Sequence, residues 1–281
     1  MIRVYTSSSG RIGFTASGQN TLAWILNMLI AVTRAVSPAI NRCELGFIER
    51  REISLAKAAE QHRLYEACLT ELGATVVSLP AEPDYPDSVF VEDPAVVVDE
   101  VAVMTRMGAA SRRGESESLE RALGLYRPLR HLREPATLEG GDVMRIGRTL
   151  FVGASHRSNR TGIEQLSTEL APFGYTVVPV EVRGALHLKT ACCYVGDGVI
   201  LANRDWLDTA PLREFRIVDI APDEPRAANV LAIGDSVIVP QCFPRTAGIL
   251  ARLGKKVRLI DVSELMKAEA GVTCSSLVFD S

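Results

Sequence analysis

The chain has 281 residues, of which 47% are hydrophobic and 23% are charged, an ordinary composition for a folded globular protein. This composition excludes a disordered chain, a collagen-like repeat and a small disulfide scaffold. Lys and Arg number 31 against 34 Asp and Glu, so the net charge of −3 gives no support for nucleic-acid binding through a basic face. Since about 150 residues per domain is usual, length alone suggests two domains.

The N-terminal residues differ from the rest of the chain. Up to Asn20 they are rich in Ser, Thr and Gly without sustained periodicity, whereas a β-branched run typical of a buried strand begins at Met28. We therefore predict an extension of uncertain order over residues 1–27 and one folded domain over residues 28–281, with Met28 as a hypothetical natural start. A helix from Thr21 to Leu29 is the alternative.

The longest apolar run, Leu22 to Val32, bears on membrane association and export. It is much shorter than the roughly 20 residues of a membrane-spanning helix, so no membrane anchor is predicted. Arg3 and Arg11 precede the run, which leaves a signal peptide as an alternative. The six cysteines include the adjacent pair Cys192 and Cys193, which disfavours a disulfide framework and favours a reducing cytoplasm.

After the first strand, one pattern of elements recurs. A helix is predicted from Ser54, a capping residue, to Gly73, a residue that ends helices. The further predicted strands are 75–79, 89–98, 101–105, 143–146, 149–152, 176–180, 192–195, 199–202, 230–233, 236–239 and 257–260. The further predicted helices are 115–125, 159–173, 209–214 and 245–253. These form about five strand-strand-helix-strand units at a spacing of roughly 45 to 50 residues, which indicates a propeller or a solenoid and weakens the two-domain interpretation.

The stretch PDSVFVEDPAVV places three carboxylates, Asp87, Glu92 and Asp93, around Phe90. This combination suits a cationic, partly apolar ligand, because the charges neutralise it while the ring covers its stem. A solvated strand end is the alternative interpretation.

Two further stretches carry polar residues at predicted strand ends. In LEGGDV, Glu139 precedes Gly140 and Gly141, and paired glycines permit a close approach that a side chain would block. A plain β-turn is the alternative there. In GALHLKTACCYV, His187 is one of four histidines and a residue type that carries protons near neutral pH. A structural histidine is the alternative, and Cys192 and Cys193 are predicted to pack in the core.

Near the C-terminus, GVTCSSLVFDS places Cys274 between a glycine turn and an apolar strand. A nucleophilic cysteine needs a lowered pKa and some exposure, and a cysteine capping a terminal strand is a candidate. No CxxC or HxxxH spacing occurs, so no metal site is predicted.

The motifs DSVFVED, EGGDV, HLKT and GVTCSS together resemble the dimethylarginine dimethylaminohydrolase family of the guanidino-group-modifying superfamily. The resemblance covers residues 29–281 in order and with near-family spacing. It implies a five-bladed, pseudo-fivefold α/β propeller of ββαβ repeats with a central active site, consistent with the five units above. It also implies hydrolysis without a metal or an organic cofactor.

The resemblance assigns roles to eleven residues. It implies that Cys274 is the nucleophile, that His187 is the general acid and base, and that Glu139 orients His187 and contacts the guanidinium group. The implied substrate-binding residues are Asp93 for the guanidinium nitrogens, supported by Glu92; Asp87 and the carbonyl of Ala268 for the α-amino group; Phe90 for the pocket wall; Arg112 and Arg157 for the α-carboxylate, at the far end of the pocket from the acids; and Leu45 for a mobile lid.

The implied activity is hydrolysis of Nω-methylated arginines, asymmetric dimethylarginine and monomethylarginine, to citrulline and a methylamine. One alternative is a hydrolase of another guanidino or ureido compound, such as arginine or citrulline. Another is a non-catalytic binding protein, because a ribosome anti-association factor shares the propeller architecture and a fold does not establish an enzyme. The expected partner is a small-molecule substrate, with no nucleic acid or membrane, and a homodimer is an assembly found in the family.

Overall fold

The computed structural model describes residues 3–5 and 28–281. In these ranges the helices are α1 (Leu55–Glu71), α2 (Glu117–Leu123), α3 (Arg160–Leu170), α4 (Leu188–Ala191) and α5 (Pro244–Arg252). The strands are β1 (Arg3–Tyr5), β2 (Leu29–Arg34), β3 (Thr75–Leu79), β4 (Ala95–Val97), β5 (Ala102–Met104), β6 (Leu129–His131), β7 (Val143–Ile146), β8 (Thr149–Ala154), β9 (Thr176–Glu181), β10 (Cys192–Tyr194), β11 (Val199–Ala202), β12 (Arg216–Asp219), β13 (Leu231–Ile233), β14 (Ser236–Pro240), β15 (Lys256–Ile260) and β16 (Leu277–Asp280).

The described strands form five small sheets that share one topology. In each sheet a first strand pairs antiparallel with a second, and the second pairs parallel with a third. The sheets, in this order of strands, are β16-β2-β3, β4-β5-β6, β7-β8-β9, β10-β11-β12 and β13-β14-β15. Five equivalent α/β units confirm the predicted five-bladed α/β propeller.

The C-terminal strand completes the blade that the N-terminal part of the domain begins. β16 pairs antiparallel with β2, with Leu277 opposite Val32 and Phe279 opposite Ile30. This pairing closes the ring, since the two ends of the repeat array share one sheet. The strand β1 adds to the outer edge of the same sheet by pairing antiparallel with β3.

Adjacent blades are held together by shared hydrophobic clusters. Val96 and Val103 of the β4-β5-β6 sheet pack in one cluster with Leu150 of the next sheet and Ile163 of α3. The corresponding cluster of the closing blade joins Phe279 to residues of the β4-β5-β6 sheet. The core is therefore a ring of interfaces between blades.

The predicted helix after Ser54 is confirmed with its capping residues. The Ser54 hydroxyl accepts a hydrogen bond from the backbone N–H of Lys57 at 3.4 Å, and Gly73 follows the helix with a φ of +93°. A positive φ of this size is unfavourable for residues with a Cβ, which explains why glycine ends the helix there.

Two predicted elements are wrong in extent. The strand predicted at 89–98 is confined to Ala95–Val97, because the segment before it forms successive turns in which Phe90 N–H donates to the Asp87 carbonyl and Asp93 N–H donates to that of Phe90. The short helix predicted at 209–214 is a single 3₁₀ turn, Ala210–Leu212. The third strands β6 and β12 are largely exposed and lack the apolar alternation that would have predicted them.

The division at residue 28 stays a prediction. Most of residues 1–27, including most of the helix considered for Thr21 to Leu29 and the region of the signal-peptide alternative, lies outside the described residues. Among residues 3–5 and 28–281, no helix has the length and apolar character needed to cross a membrane.

The closure through β16 predicts that Phe279→Ala destabilises the propeller. Phe279 is buried, packs edge-on against Tyr126 at 5.5 Å and lies under the guanidinium of Arg127. Truncating a buried phenylalanine costs about 3–5 kcal/mol. Urea unfolding should show this loss, whereas Leu125→Ala, at a side chain that is 79% exposed, should change stability by about 0.5 kcal/mol or less. Equal effects of the two substitutions would contradict closure by β16.

Candidate active site

The candidate site lies in the loops that precede the first strand of each sheet. Asp93 precedes β4, Glu139 precedes β7, His187 precedes β10, Asn229 precedes β13 and Cys274 precedes β16. Because the five sheets are equivalent, the five loops occupy equivalent positions and converge on one centre. The repeat itself therefore brings together residues that are far apart in the sequence.

Glu139 and His187 form a buried ion pair. His187 Nε2 lies 2.8 Å from Glu139 Oε2, and neither side chain is more than 5% exposed. Burial alone would lower the pKa of His187, but the neighbouring carboxylates of Asp93, Asp142 and Glu139 outweigh it and raise this pKa to about 9. Burial likewise opposes ionisation of Glu139, yet His187, Arg112 and Arg157 lower the pKa of this carboxyl group. His187 is therefore a cation at neutral pH.

Asp93 completes a compact cluster with this pair. Its Oδ1 accepts the backbone N–H of Gly141 at 3.1 Å and lies 4.0 Å from His187 Nδ1. Atoms of Asp93, Glu139 and His187 lie within 4.8 Å of one another. This spacing would also suit a metal ion, and the nearby Arg112 and Arg157 supply positive charge beside both carboxylates. Absence of a metal stays a prediction.

The two glycines after Glu139 are required by close packing. A Cβ on Gly141 would lie 2.6 Å from His187 Nδ1 and 2.8 Å from Asp93 Oδ1, and a Cβ on Gly140 would lie 2.0 Å from the carbonyl oxygen of Glu92. Real Cβ atoms essentially never approach another heavy atom this closely. The predicted close approach is confirmed, so the His187 ring rests directly on the backbone of Gly141.

Asp142 positions the loop that carries His187. It is fully buried, accepts the hydroxyls of Ser155 and Ser158 at 2.6 Å, and accepts the backbone N–H of Leu188 at 2.8 Å. No role was predicted for Asp142 from the sequence, although it belongs to the EGGD motif. The one sequence feature that could have indicated its role is its position directly after two glycines.

Arg112 and Arg157 lie beside the carboxylates of the site. The prediction that these arginines lie at the far end of the pocket from the acids is wrong. Arg112 Nη1 lies 2.8 Å from Asp93 Oδ2 and 4.0 Å from Glu139 Oε2, while Arg157 Nη1 lies 3.5 Å from Glu139 Oε1. Arg112 also pairs with Glu115, a buried carboxylate that the sequence analysis missed. A buried guanidinium needs such partners, since an unpaired buried charge is costly.

Two carboxylates, those of Asp87 and Glu269, hold the loop that carries Leu45. The Asp87 carboxylate accepts the backbone N–H of Glu44 at 3.1 Å, and its burial raises the pKa of Asp87 despite Arg112 nearby. On the other side of Leu45, the backbone N–H of Gly46 donates to Glu269 at 2.7 Å. The loop that carries Leu45 is thus fastened on both sides by carboxylates.

Cys274 faces an apolar wall. Phe90 and Ala268 belong to one buried cluster against which Leu45 and Cys274 pack. The thiol accepts the backbone N–H of Gly271 at 3.4 Å. Burial, with the nearby charges of Glu92 and Asp93, raises the pKa of Cys274. The resting group is therefore a thiol, which a bound cation would help to ionise.

Glu92 lies outside the cluster of Asp93, Glu139 and His187, although it neighbours Asp93 in sequence. Its carboxylate accepts Lys189 Nζ at 2.5 Å and the Thr273 hydroxyl at 2.8 Å. Cys192 and Cys193 are buried, as predicted for core residues. The structure thus gathers all eleven predicted site residues around one centre, while their individual roles stay predictions.

Comparison with known proteins identifies relatives of the whole domain. A family model described as eukaryotic N,N dimethylarginine dimethylhydrolase matches residues 32–235. The N(G),N(G)-dimethylarginine dimethylaminohydrolase of Pseudomonas aeruginosa is 37% identical over 226 residues, which cover 80% of this chain and 89% of that protein. The enzyme of the same name from Streptomyces coelicolor is 37% identical over 248 residues, which cover 88% of this chain and 95% of that protein.

Solved structures give the same result. A Pseudomonas aeruginosa dimethylarginine dimethylaminohydrolase, a cysteine-to-serine mutant complexed with citrulline, superimposes with a TM-score of 0.85 at 33% identity and covers 90% of this chain and all of that one. The N-terminal domain of a cyanobacterial arginine dihydrolase superimposes with a TM-score of 0.77 at 20% identity, covering 89% of this chain and 97% of that one. The second similarity shows a shared fold alone.

The packing of His187 on Gly141 predicts that Gly141→Ala displaces the ring and abolishes most of the activity. We expect a loss of at least about tenfold, because small misplacements of a catalytic group are costly. Gly248→Ala is the matched control: its nearest contact is Arg252 Nη1 at 3.5 Å within α5. Alanine there should be neutral or stabilise the helix slightly. Activity assays beside unfolding curves would contradict the proposed packing if Gly141→Ala kept full activity.

The raised pKa of His187 predicts a pH-dependent stability. The folded pKa of about 9 exceeds the usual value of 6.5, so the folded state binds the proton more tightly. This contribution is complete below about pH 6.5 and is lost as the pH rises towards 9. The free energy of unfolding should fall across this window in the native protein, and less steeply in His187→Gln. Parallel curves for the two proteins would show that the ion pair does not form.

Proposed function

Because the chain belongs to the dimethylarginine dimethylaminohydrolase family, we propose that it hydrolyses Nω-methylated arginines, asymmetric dimethylarginine and monomethylarginine, to L-citrulline and dimethylamine or methylamine. The observation that carries this proposal is the buried cluster of Asp93, Glu139 and His187 beside the loop of Cys274. Two carboxylates in a buried site suit a guanidinium ion, and a thiol and a histidine suit its hydrolysis. A non-catalytic binding protein has no need of the last two.

In the proposed mechanism the acids first hold the substrate. Asp93 and Glu139 bind the planar guanidinium through charge-assisted hydrogen bonds and turn one face towards Cys274. The cation also counters the carboxylates that oppose ionisation of the thiol. The thiolate sulfur attacks the guanidinium carbon and forms a tetrahedral adduct. His187, protonated at neutral pH, is suited to deliver a proton to the substituted nitrogen.

Collapse of the adduct breaks the bond from carbon to that nitrogen and releases neutral dimethylamine or methylamine. A thiouronium group on Cys274 remains. Water then attacks its carbon while His187, now neutral, accepts one proton of the water. The carbon–sulfur bond breaks to give citrulline and the thiolate, and the second proton of the water is released to solvent. Two proton transfers by one residue and a fixed geometry supply the catalysis.

The remaining predicted residues fit the substrate's other groups. We assign Arg112 and Arg157 to the α-carboxylate, Asp87 and the carbonyl of Ala268 to the α-amino group, and Leu45 and Phe90 to the aliphatic stem. The apolar cluster shared by Leu45, Phe90, Ala268 and Cys274 supports the last assignment. In this structure Arg112 pairs with Asp93 and Glu115, so binding of the α-carboxylate requires the contact of Arg112 with Asp93 to be exchanged for contacts with the substrate.

We also propose a cytoplasmic location. All six cysteines are free, including the adjacent Cys192 and Cys193. Free thiols are typical of a reducing compartment. A homodimer stays a prediction.

The nucleophile assignment predicts that Cys274→Ser lowers turnover of asymmetric dimethylarginine by about 10³-fold or more. Citrulline release measures the loss. Cys242→Ser is the matched control, because Cys242 is exposed and contacts Met266 rather than the site. Arginine and citrulline serve as competing substrates: a preference of the native protein for either would overturn the proposed substrate, and intact turnover in Cys274→Ser would overturn the nucleophile.

A further inference from the structure

A polar network lies directly against the loop of Cys274 and takes no part in the mechanism above. Thr273 donates its hydroxyl to Glu92 Oε2 at 2.8 Å, and Glu92 Oε1 accepts Lys189 Nζ at 2.5 Å. Asn229 accepts the backbone N–H of Thr273 at 3.1 Å and donates both to the Thr273 hydroxyl at 3.0 Å and to the Lys189 carbonyl at 2.9 Å. Four loops around the propeller axis are thereby tied together.

The Glu92 backbone also touches the nucleophile's own residue. Its N–H donates to the carbonyl of Cys274 at 3.3 Å. The side chain of Glu92 is 9% exposed and that of Lys189 is 16% exposed, so both charges are largely withdrawn from water. At this depth each charge acts strongly on its neighbours, because little solvent screens it.

Glu92, Lys189 and Thr273 line a cavity of about 530 Å³, together with residues from the first strands of all five sheets, including Val96, Met144 and Leu231. The polar network therefore borders this cavity. No described residue of the catalytic cluster lines this cavity.

The charges around Cys274 are unevenly balanced. Glu92 and Asp93 disfavour a thiolate at Cys274, whereas Lys189 favours it. Tyr65, which packs in the neighbouring core, has a pKa raised by burial and is therefore a neutral phenol. Asp93 has Arg112 as its partner. Glu92 has Lys189, and without Lys189 it would be a buried anion next to a group that must become an anion.

We propose that Lys189 is a positioning residue for the nucleophile: by pairing with Glu92 it cancels the carboxylate that opposes thiolate formation at Cys274, and with Asn229 it holds Thr273 in place. This inference rests on the proposed function, since it concerns the same nucleophile. Lys189 contacts neither substrate nor reacting atoms and acts through Glu92. The carboxylate of Glu92 thus anchors Thr273 while Lys189 cancels its charge.

The proposal predicts how substitutions of Lys189 and Glu92 shift the midpoint of the Cys274 titration, which is the pH at which half of this thiol is ionised. Lys189→Met removes the cation that pairs with Glu92 and favours the thiolate, so the midpoint should rise by about one pH unit, or about tenfold less thiolate at a given lower pH. Glu92→Gln leaves Lys189 unpaired and should lower the midpoint by a similar amount. The double variant should return close to the native midpoint, and Lys189→Arg should retain it.

The measurement is the ultraviolet absorbance of the thiolate against pH, taken as the difference between each protein and its Cys274→Ser counterpart. Lys256→Met is the matched control, because Lys256 is 73% exposed and lies on β15. The proposal is overturned if Lys189→Met leaves the midpoint in place, or if adding Glu92→Gln does not reverse its shift. Should Lys189→Met not fold, Glu92→Gln alone decides, since an unchanged midpoint there contradicts the proposal equally.

This titration needs no substrate, so it separates the two hypotheses. If the native protein fails to hydrolyse asymmetric dimethylarginine but the midpoints move as expected, only the proposed function is wrong. If hydrolysis proceeds and the midpoints stay fixed, only the role of Lys189 is wrong.

Discussion

The cost of burying charge constrains this structure more than any other interaction. Four carboxylates, those of Glu92, Asp93, Glu139 and Asp142, lie almost completely out of water at the centre of the propeller. Each has donors within hydrogen-bonding distance, because an unpaired buried charge would cost several kcal/mol. Their donors come from different blades, as in the pairing of Glu139 with His187. The pairing of the charges in the site therefore also fixes how the blades lie relative to one another.

The propeller topology makes this arrangement available. A loop before the first strand of each sheet leads to the site, so five loops meet there. The closing strand β16 belongs to the same sheet as β2, which places Cys274 in the series with Asp93, Glu139, His187 and Asn229. A ring of hydrophobic interfaces outside the loops supplies stability that offsets the cost of burying the central charges.

The site consists of two unlike halves, and the chemistry depends on their contrast. Carboxylates suit the delocalised cation, while the apolar wall around Cys274 keeps the thiol neutral and suits an aliphatic stem. The acids that would bind a guanidinium ion are also the groups that discourage a thiolate. A bound cation would relieve that opposition, so nucleophile activation and substrate binding are linked electrostatically.

The five-unit repeat, most strands and helices, and the four motifs whose residues meet in the site could all be predicted from the sequence. They could be predicted because alternation of apolar residues, capping residues and paired glycines act locally. The partner of each buried charge could not be predicted and is known only from the folded structure. Lys189 against Glu92 and Asp142 beneath the His187 loop join residues from different blades, and Arg112 and Asp93 are 19 residues apart within one blade. Such pairs leave no local signal, since burial and distance, which set the strength of a charge interaction, exist only after the chain has closed into a ring.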